Sequence, residues 1–176
     1  MNISDWRSDT VTQPTAAMKA VMLEAPLGDD VLGEDPSVNA LEAKAAALFG
    51  MEAALFCPSG TMTNQIAVNL HTHPPCEAIV DQLSHIYNYE VGGAAFNSGA
   101  SLRLANGRRG MFTAEMARQL INKDDVHLPE TTLLAIENTS NRGGGACYDF
   151  EELKRLSQLC KEQEIAFHLD LSLIHI

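Results

Sequence analysis

Ser59-Gly60-Thr61 is the first place in this sequence where residue types and position could do chemistry. It follows a short apolar run, 53–57, and precedes a helical pattern, 61–70. The first N–H groups of a helix lack carbonyl partners, and the helix dipole favours an anion beside them. Glycine lets an anion approach the backbone, and the two hydroxyls add donors, so a phosphate would suit this segment. The same residues also read as a plain turn with a helix cap. No lysine follows as in a Walker loop, and the G-x-G-x-x-G fingerprint is missing. Asp170 ends the apolar run His168-Leu169-Asp170. Its carboxylate could pair with a cationic ligand nitrogen or cap a following helix. His85, preceded by Ser84, could stack on a flat ring or move protons near neutral pH, or lie on the surface. Glu137-Asn138 could orient groups in a cleft or merely close a turn.

These residues need elements to hold them. Helical spacing predicts helices over 14–24, with Ala17, Val21 and Met22 on one stripe, and from Pro36 to a stop at Gly50. Asp35 suits the cap of the second, and Val38, Leu41, Ala45 and Leu48 form its stripe. Further helices are expected over 61–70, over 113–121 with Met116 and Leu120 inward, and over 149–163 with Leu153, Leu156 and Leu159 inward. Strands are expected at 53–57, 78–80, 101–104, 131–136 and 165–169, with His85 in a loop or at a helix start. Strands alternating with helices imply an α/β fold, a mostly parallel sheet with helices on both faces. Ligands of such folds gather at the C-terminal strand ends. Ser59-Gly60-Thr61, Glu137-Asn138 and Asp170 are all expected there.

Composition narrows the function. The net charge of -11 disfavours a nucleic-acid partner, and the one arginine-rich stretch, 103–109, reads as a solvated turn. No apolar run is long enough to span a membrane. The N-terminus has no basic stretch followed by an apolar one, so a cytoplasmic location is expected. Cys57, Cys76, Cys147 and Cys160 have no zinc-like spacing and are expected reduced and partly buried. His71 and His73 flank a threonine without nearby carboxylates or thiols, so no metal site is expected.

Together the motifs are more specific than each alone. In order come Arg7-Ser8-Asp9-Thr10-Val11-Thr12, Gly28-Asp29-Asp30-Val31-Leu32-Gly33-Glu34-Asp35-Pro36, and Pro58-Ser59-Gly60-Thr61-Met62-Thr63-Asn64-Gln65. Ser84-His85-Ile86, Ile136-Glu137-Asn138-Thr139 and His168-Leu169-Asp170 follow. The series resembles the pyridoxal-phosphate-dependent threonine aldolases, from Asp5 to Asp170.

That resemblance implies the large domain of an aspartate-aminotransferase-like fold over 1–170, truncated, with pyridoxal 5′-phosphate as cofactor. It implies that Ser59, Gly60 and Thr61 hold the phosphate and that Asp170 pairs with the pyridine nitrogen. His85 would stack on the ring and act as base, and Glu137 would line the cofactor. Ser8 would bind the substrate carboxylate, and His127 would lie near the substrate. The implied reaction is aldol cleavage of L-threonine or L-allo-threonine to glycine and acetaldehyde. A related lyase or aminotransferase of the same fold, or a non-catalytic binding module, are the alternatives. A homodimer or homotetramer is expected, with 1–36 at its interface. Two departures stand out. Leu32 occupies a position where many members carry tyrosine. The family continues past the aspartate with Gly-Ala-Arg, whereas Leu171-Ser172-Leu173 follows here. Residues 171–176 are therefore expected to be a non-native tail, with the cofactor-bonding lysine lying beyond the chain.

Overall fold

The computed structural model describes residue 5 and residues 9–122 and 124–171. The chain divides into two compact units, Met1–Pro58 and Ser59–Ile176. The second carries a four-stranded parallel sheet of β1 (Cys76–Asp81), β2 (Ser101–Ala105), β3 (Glu130–Glu137) and β4 (Ala166–Asp170), in the order β2-β1-β3-β4. Side chains alternate across a strand, and the two faces sort accordingly. Ile79, Leu134 and Ile136 pack with Ala117 of α6 (Ala114–Leu120) and with Leu156, Leu159 and Cys160 of α7 (Phe150–Glu162). Ala78, Val80, Leu133 and Ala135 pack on the opposite side. Their partners there are Val68 of α3 (Gly60–His71), Ile86 of α4 (His85–Asn88) and Ala94 of α5 (Gly93–Ser98). The expected α/β architecture, parallel and covered on both faces, is what forms.

Local signals set most boundaries. The Ser59, Thr113 and Asp149 side chains accept backbone N–H groups at the starts of α3, α6 and α7. Each satisfies donors that the first helical turn leaves unpaired. The chain leaves β1 for β2 beneath α4 and α5, then returns to β3 past α6 on the other face. Strand order therefore reverses between β1 and β3, and the C-terminal ends of these strands are where folds of this kind bind ligands.

The first unit holds α1 (Ala16–Glu24) and α2 (Pro36–Phe49), each with an N-cap side chain, Thr15 and Asp35. Gly50 ends α2 at φ 63, a left-handed conformation that suits glycine. The loop between the helices closes on itself. Asp35 accepts from Ser37, Val38 and Gly28 N–H groups, and Asn39 donates to the Gly33 carbonyl. Those backbone donors hold the Asp35 carboxyl below its ordinary range, Val38 contributing most. A Cβ on Gly28 would meet the Glu34 carbonyl oxygen at 2.2 Å, so the close approach requires glycine.

Three expectations change. Residues 53–57 form no strand: they pair with none of the four described strands, and Leu55 and Phe56 stay exposed. A strand's N–H and C=O groups need a neighbouring strand, which short apolar character does not supply. The predicted stripes of α1 and α2 bury no residue; Val21, Met22 and Leu48 are largely exposed. Residues 93–98 form a helix that the sequence pattern does not announce, between left-handed Gly92 and Gly99. No helix among the described residues is long and apolar enough to cross a membrane.

Candidate active site

The alternation that builds the core also places the polar residues. Leu133 and Ala135 face α3 to α5, so the next residue of that parity, Glu137, faces the same way at the end of β3. On β4 the same parity runs Ala166, His168, Asp170. Glu137 and Asp170 are register partners, and both are buried, each 6% exposed. Two carboxylates thus lie side by side at the C-terminal edge, on the α3 face.

Asp170 receives a 2.9 Å hydrogen bond from the Asn64 side-chain amide, one turn inside α3. The same amide group donates to Glu90 at 2.9 Å, while the Asn64 carbonyl oxygen meets His168 Nε2 at 2.9 Å. The two carboxylate acceptors on one side fix which way this amide points, and its oxygen then calls for a donor at His168 Nε2. Burial holds the His168 pKa below its ordinary value, against the opposing pull of Asp170. Neutral His168 is thereby matched to its neutral amide partner.

His85 sits just past β1, at the first position of α4. Its backbone N–H donates to Glu137 Oε2 at 2.8 Å, and the Asn141 N–H donates to Glu137 Oε1 at 2.7 Å. Glu137 thus ties the loop after β1 to the loop after β3, across the reversal in strand order. Burial pushes the Glu137 carboxyl above the usual carboxylate range; the two backbone donors oppose this, and neighbouring Asp170 adds to it. The His85 ring is about one-third exposed, its Nδ1 lies 3.0 Å from Glu90 Oε1, and Tyr89 tilts against it at 5.4 Å between centroids.

Gly60 and Thr61 begin α3, where their N–H groups precede the first intrahelical bonds. Ser59 Oγ accepts from Met62 N–H at 3.2 Å, so its lone pair serves as the helix cap while its O–H remains a donor. Since Asn64 reaches Asp170 from one turn further along, the start of α3, Asp170 and His85 share one face of the sheet. A group carrying a phosphate and a cationic ring nitrogen needs unpaired backbone donors and a buried carboxylate. This arrangement contains both, and the residues fit pyridoxal 5′-phosphate.

The structure does not assemble every expected residue. His127 lies exposed in the turn before β3, its N–H donating to Asp125 at 2.8 Å. That is the N-terminal end of β3, the full length of the strand away from Glu137, so within this chain His127 is not part of the cluster. Ser8 lies outside the described residues. Asn64, Gln65 and Glu90 join the cluster without a role expected from sequence. Asn64 had a findable signal, since three to four residues after Gly60 and Thr61 places it on the same side of α3. Glu90 had none, lying in an aperiodic turn.

Other polar groups have structural uses. Arg103 donates to buried Glu77, and Arg109 donates to the Gly143 and Gly144 carbonyls, so the arginine-rich stretch spends these two side chains internally. Among the described residues no group of three or more side chains could hold a metal. Cys76 and Cys160 are buried, Cys57 half-buried and Cys147 exposed; burial pushes the Cys160 thiol up to about 11.

Known proteins share this arrangement of sequence and fold. The low specificity L-threonine aldolase of Escherichia coli strain K12 is 42% identical over 167 residues, which are 94% of this chain and 49% of the relative. The low specificity L-threonine aldolase of Saccharomyces cerevisiae is 39% identical over 171 residues, covering 95% and 43% respectively. The structure of Leishmania major threonine aldolase superposes with a TM-score of 0.58 at 28% identity, over 63% of this chain and 32% of that one. The chain thus spans about half the length of the curated relatives it matches. The beta-eliminating lyase family model matches residues 5–172, which include every described residue of both units, and the chain belongs to that family.

Proposed function

We propose that this chain supplies the ring-and-phosphate side of a pyridoxal 5′-phosphate site, and that the whole protein cleaves L-threonine or L-allo-threonine to glycine and acetaldehyde. The observation that carries the reading is the convergence of the α3 N-terminus, His85 and Asp170 on one face at the C-terminal strand ends. In this reading Gly60 and Thr61 N–H groups and the Ser59 and Thr61 hydroxyls bind the phosphate. Asp170 pairs with the pyridine nitrogen and keeps its proton in place. When bound, the cofactor supplies an electron sink for the bond broken at the substrate α-carbon. His85 covers the ring and accepts the β-hydroxyl proton. Glu137 acts one step back, holding the His85 backbone. Ser8 and His127 remain proposed substrate contacts, and a homodimer or homotetramer with 1–36 at its interface remains the proposed assembly. Residues 1–170 are proposed as part of one cofactor-binding domain, and 171–176 as a tail foreign to it.

The 176-residue polypeptide alone is proposed to be inactive. Lys154 pairs with Glu151 and sits over the Phe150 ring, and Lys161 is exposed on the same helix of the α6–α7 face. Lys19 and Lys44 lie on α1 and α2, and Lys123 lies outside the described residues. The test has two arms. The whole protein, given cofactor and L-threonine or L-allo-threonine, should release acetaldehyde and glycine in equal amounts; 2-oxo acid in their place would assign a β-elimination or a transamination. The 176-residue polypeptide should not exceed the free-cofactor background, and turnover above it would refute that part.

A further inference from the structure

We infer that Glu90 is a positioning residue that fixes the His85 ring with its proton on Nδ1, so that Nε2 presents a lone pair for proton transfer. This rests on the role proposed for His85 and adds which nitrogen acts and what sets it. The Glu90 side chain is fully buried, yet its partners are two amides and an imidazole rather than a lysine or an arginine. Three nitrogens surround it. Oε1 lies 2.9 Å from the Asn64 amide nitrogen and 3.0 Å from His85 Nδ1, and Oε2 receives the Gln65 amide at 2.5 Å. A buried acid ordinarily needs such partners or a counter-charge.

The amides fix the direction of every bond. Asn64 must turn its NH2 toward Glu90 and Asp170, because carboxylate oxygens face it there, and this leaves its oxygen toward His168 Nε2. Gln65 must turn its NH2 toward Glu90, because its oxygen accepts from Asn97 at 3.0 Å. With NH2 groups directed at both Glu90 oxygens, the carboxyl group is the acceptor in these contacts, and Oε1 accepts along the Asn64 line beside the His85 ring nitrogen. His85 Nδ1 must then donate. An imidazole whose Nδ1–H is held by a carboxylate keeps its acceptor on Nε2 and is stabilised once it gains a proton there. The other groups facing His85 do not compete for its ring nitrogens. Glu137 engages only its backbone N–H, Tyr89 meets the ring tilted, and Arg142 lies over Tyr89. Through Asn64 the same oxygen of Glu90 is linked to Asp170, so the proposed base and the proposed ring partner share one hydrogen-bonded frame.

The test is nitrogen NMR of the 176-residue chain with labelled histidine, assigned to His85 by its loss in His85→Gln. Wild type should show the Nδ1–H tautomer. Glu90→Gln, which places an amide where the carboxylate stood, should shift the tautomer ratio toward Nε2–H by about tenfold or more, the scale of losing one charge-assisted hydrogen bond. Glu90→Asp should retain part of the preference. An Nε2–H tautomer in wild type, or an unchanged ratio in folded Glu90→Gln, would overturn the inference. If Glu90→Gln does not fold, the wild-type tautomer alone decides. The readout needs neither cofactor nor substrate. A chain with the expected tautomer that fails to bind pyridoxine 5′-phosphate would sink the functional reading and leave this one standing.

Discussion

The two faces of the sheet are built from the same strands and end differently. On the α6–α7 face, Ile79, Leu134 and Ile136 continue into Phe112, Leu156 and Leu159, an apolar core filled by large side chains. On the α3–α5 face the side chains are smaller, with Ala78, Ala135, Ala94 and Ala100, and the same rows run out into His168, Glu137 and Asp170. One face is filled mainly by large apolar side chains, with Glu77 and Asp81 of β1 held by hydrogen bonds at its edge. The other ends in the paired carboxylates Glu137 and Asp170, with backbone N–H groups and the Asn64 amide as their donors. Fold stability and ligand chemistry are thereby carried on opposite sides of one scaffold.

The comparison predicts a graded set of effects. The largest should come from the apolar face: Leu134→Ala removes a fully buried side chain and should cost about 2–5 kcal/mol in urea unfolding. It should leave the polar frame's geometry in place wherever the protein still folds. Next, Asn64→Ala strips a donor from both Glu90 and Asp170 and an acceptor from His168, and should cost about 1–3 kcal/mol. Unlike Leu134→Ala, it should also disturb the His85 ring signals. A smaller effect concerns pH. The Glu137 carboxyl is raised by burial, so the folded protein keeps its proton where the unfolded chain has released it. Stability should therefore fall as pH rises above the ordinary carboxylate range, and Glu137→Gln should flatten that fall. Asp81, raised by burial on the other face, contributes with the same sign and sets the residual slope. The smallest effect is Lys154→Ala, which breaks an exposed pair with Glu151 on the outer side of α7 and should change stability by no more than about 0.5 kcal/mol.

Much of the α6–α7 face is legible in sequence, because large apolar residues recur there at helical and strand spacing. Leu153, Leu156 and Leu159 mark α7 by their spacing alone, and Thr113 and Asp149 mark helix starts. The segment 53–57 misleads for the converse reason: its apolar run is strand-like, but a strand is completed by a neighbour that composition cannot supply. The site is legible in part. Strand-end position picks out Glu137 and Asp170, and the turn chemistry picks out Ser59, Gly60 and Thr61. Asn64 is placed by helical spacing from Gly60 and Thr61, but its partners Asp170 and Glu90 lie 106 and 26 positions away, and Glu90, five residues past His85, sits in a turn with no periodicity to mark it. The Gly28–Pro36 motif shows the limit of motif reading: within its own unit, Asp29 and Asp35 serve as helix caps.

Hydrogen exchange of the 176-residue chain with and without pyridoxine 5′-phosphate addresses the central claim most directly. That probe keeps the phosphate and the ring nitrogen but lacks the aldehyde, so it cannot bond to surface lysines. The account predicts saturable protection at the start of α3, across 84–90 and at the ends of β3 and β4, weakened in Asp170→Ala and retained in Lys154→Ala. Protection confined to α6 and α7, or protection indifferent to Asp170→Ala, would contradict it.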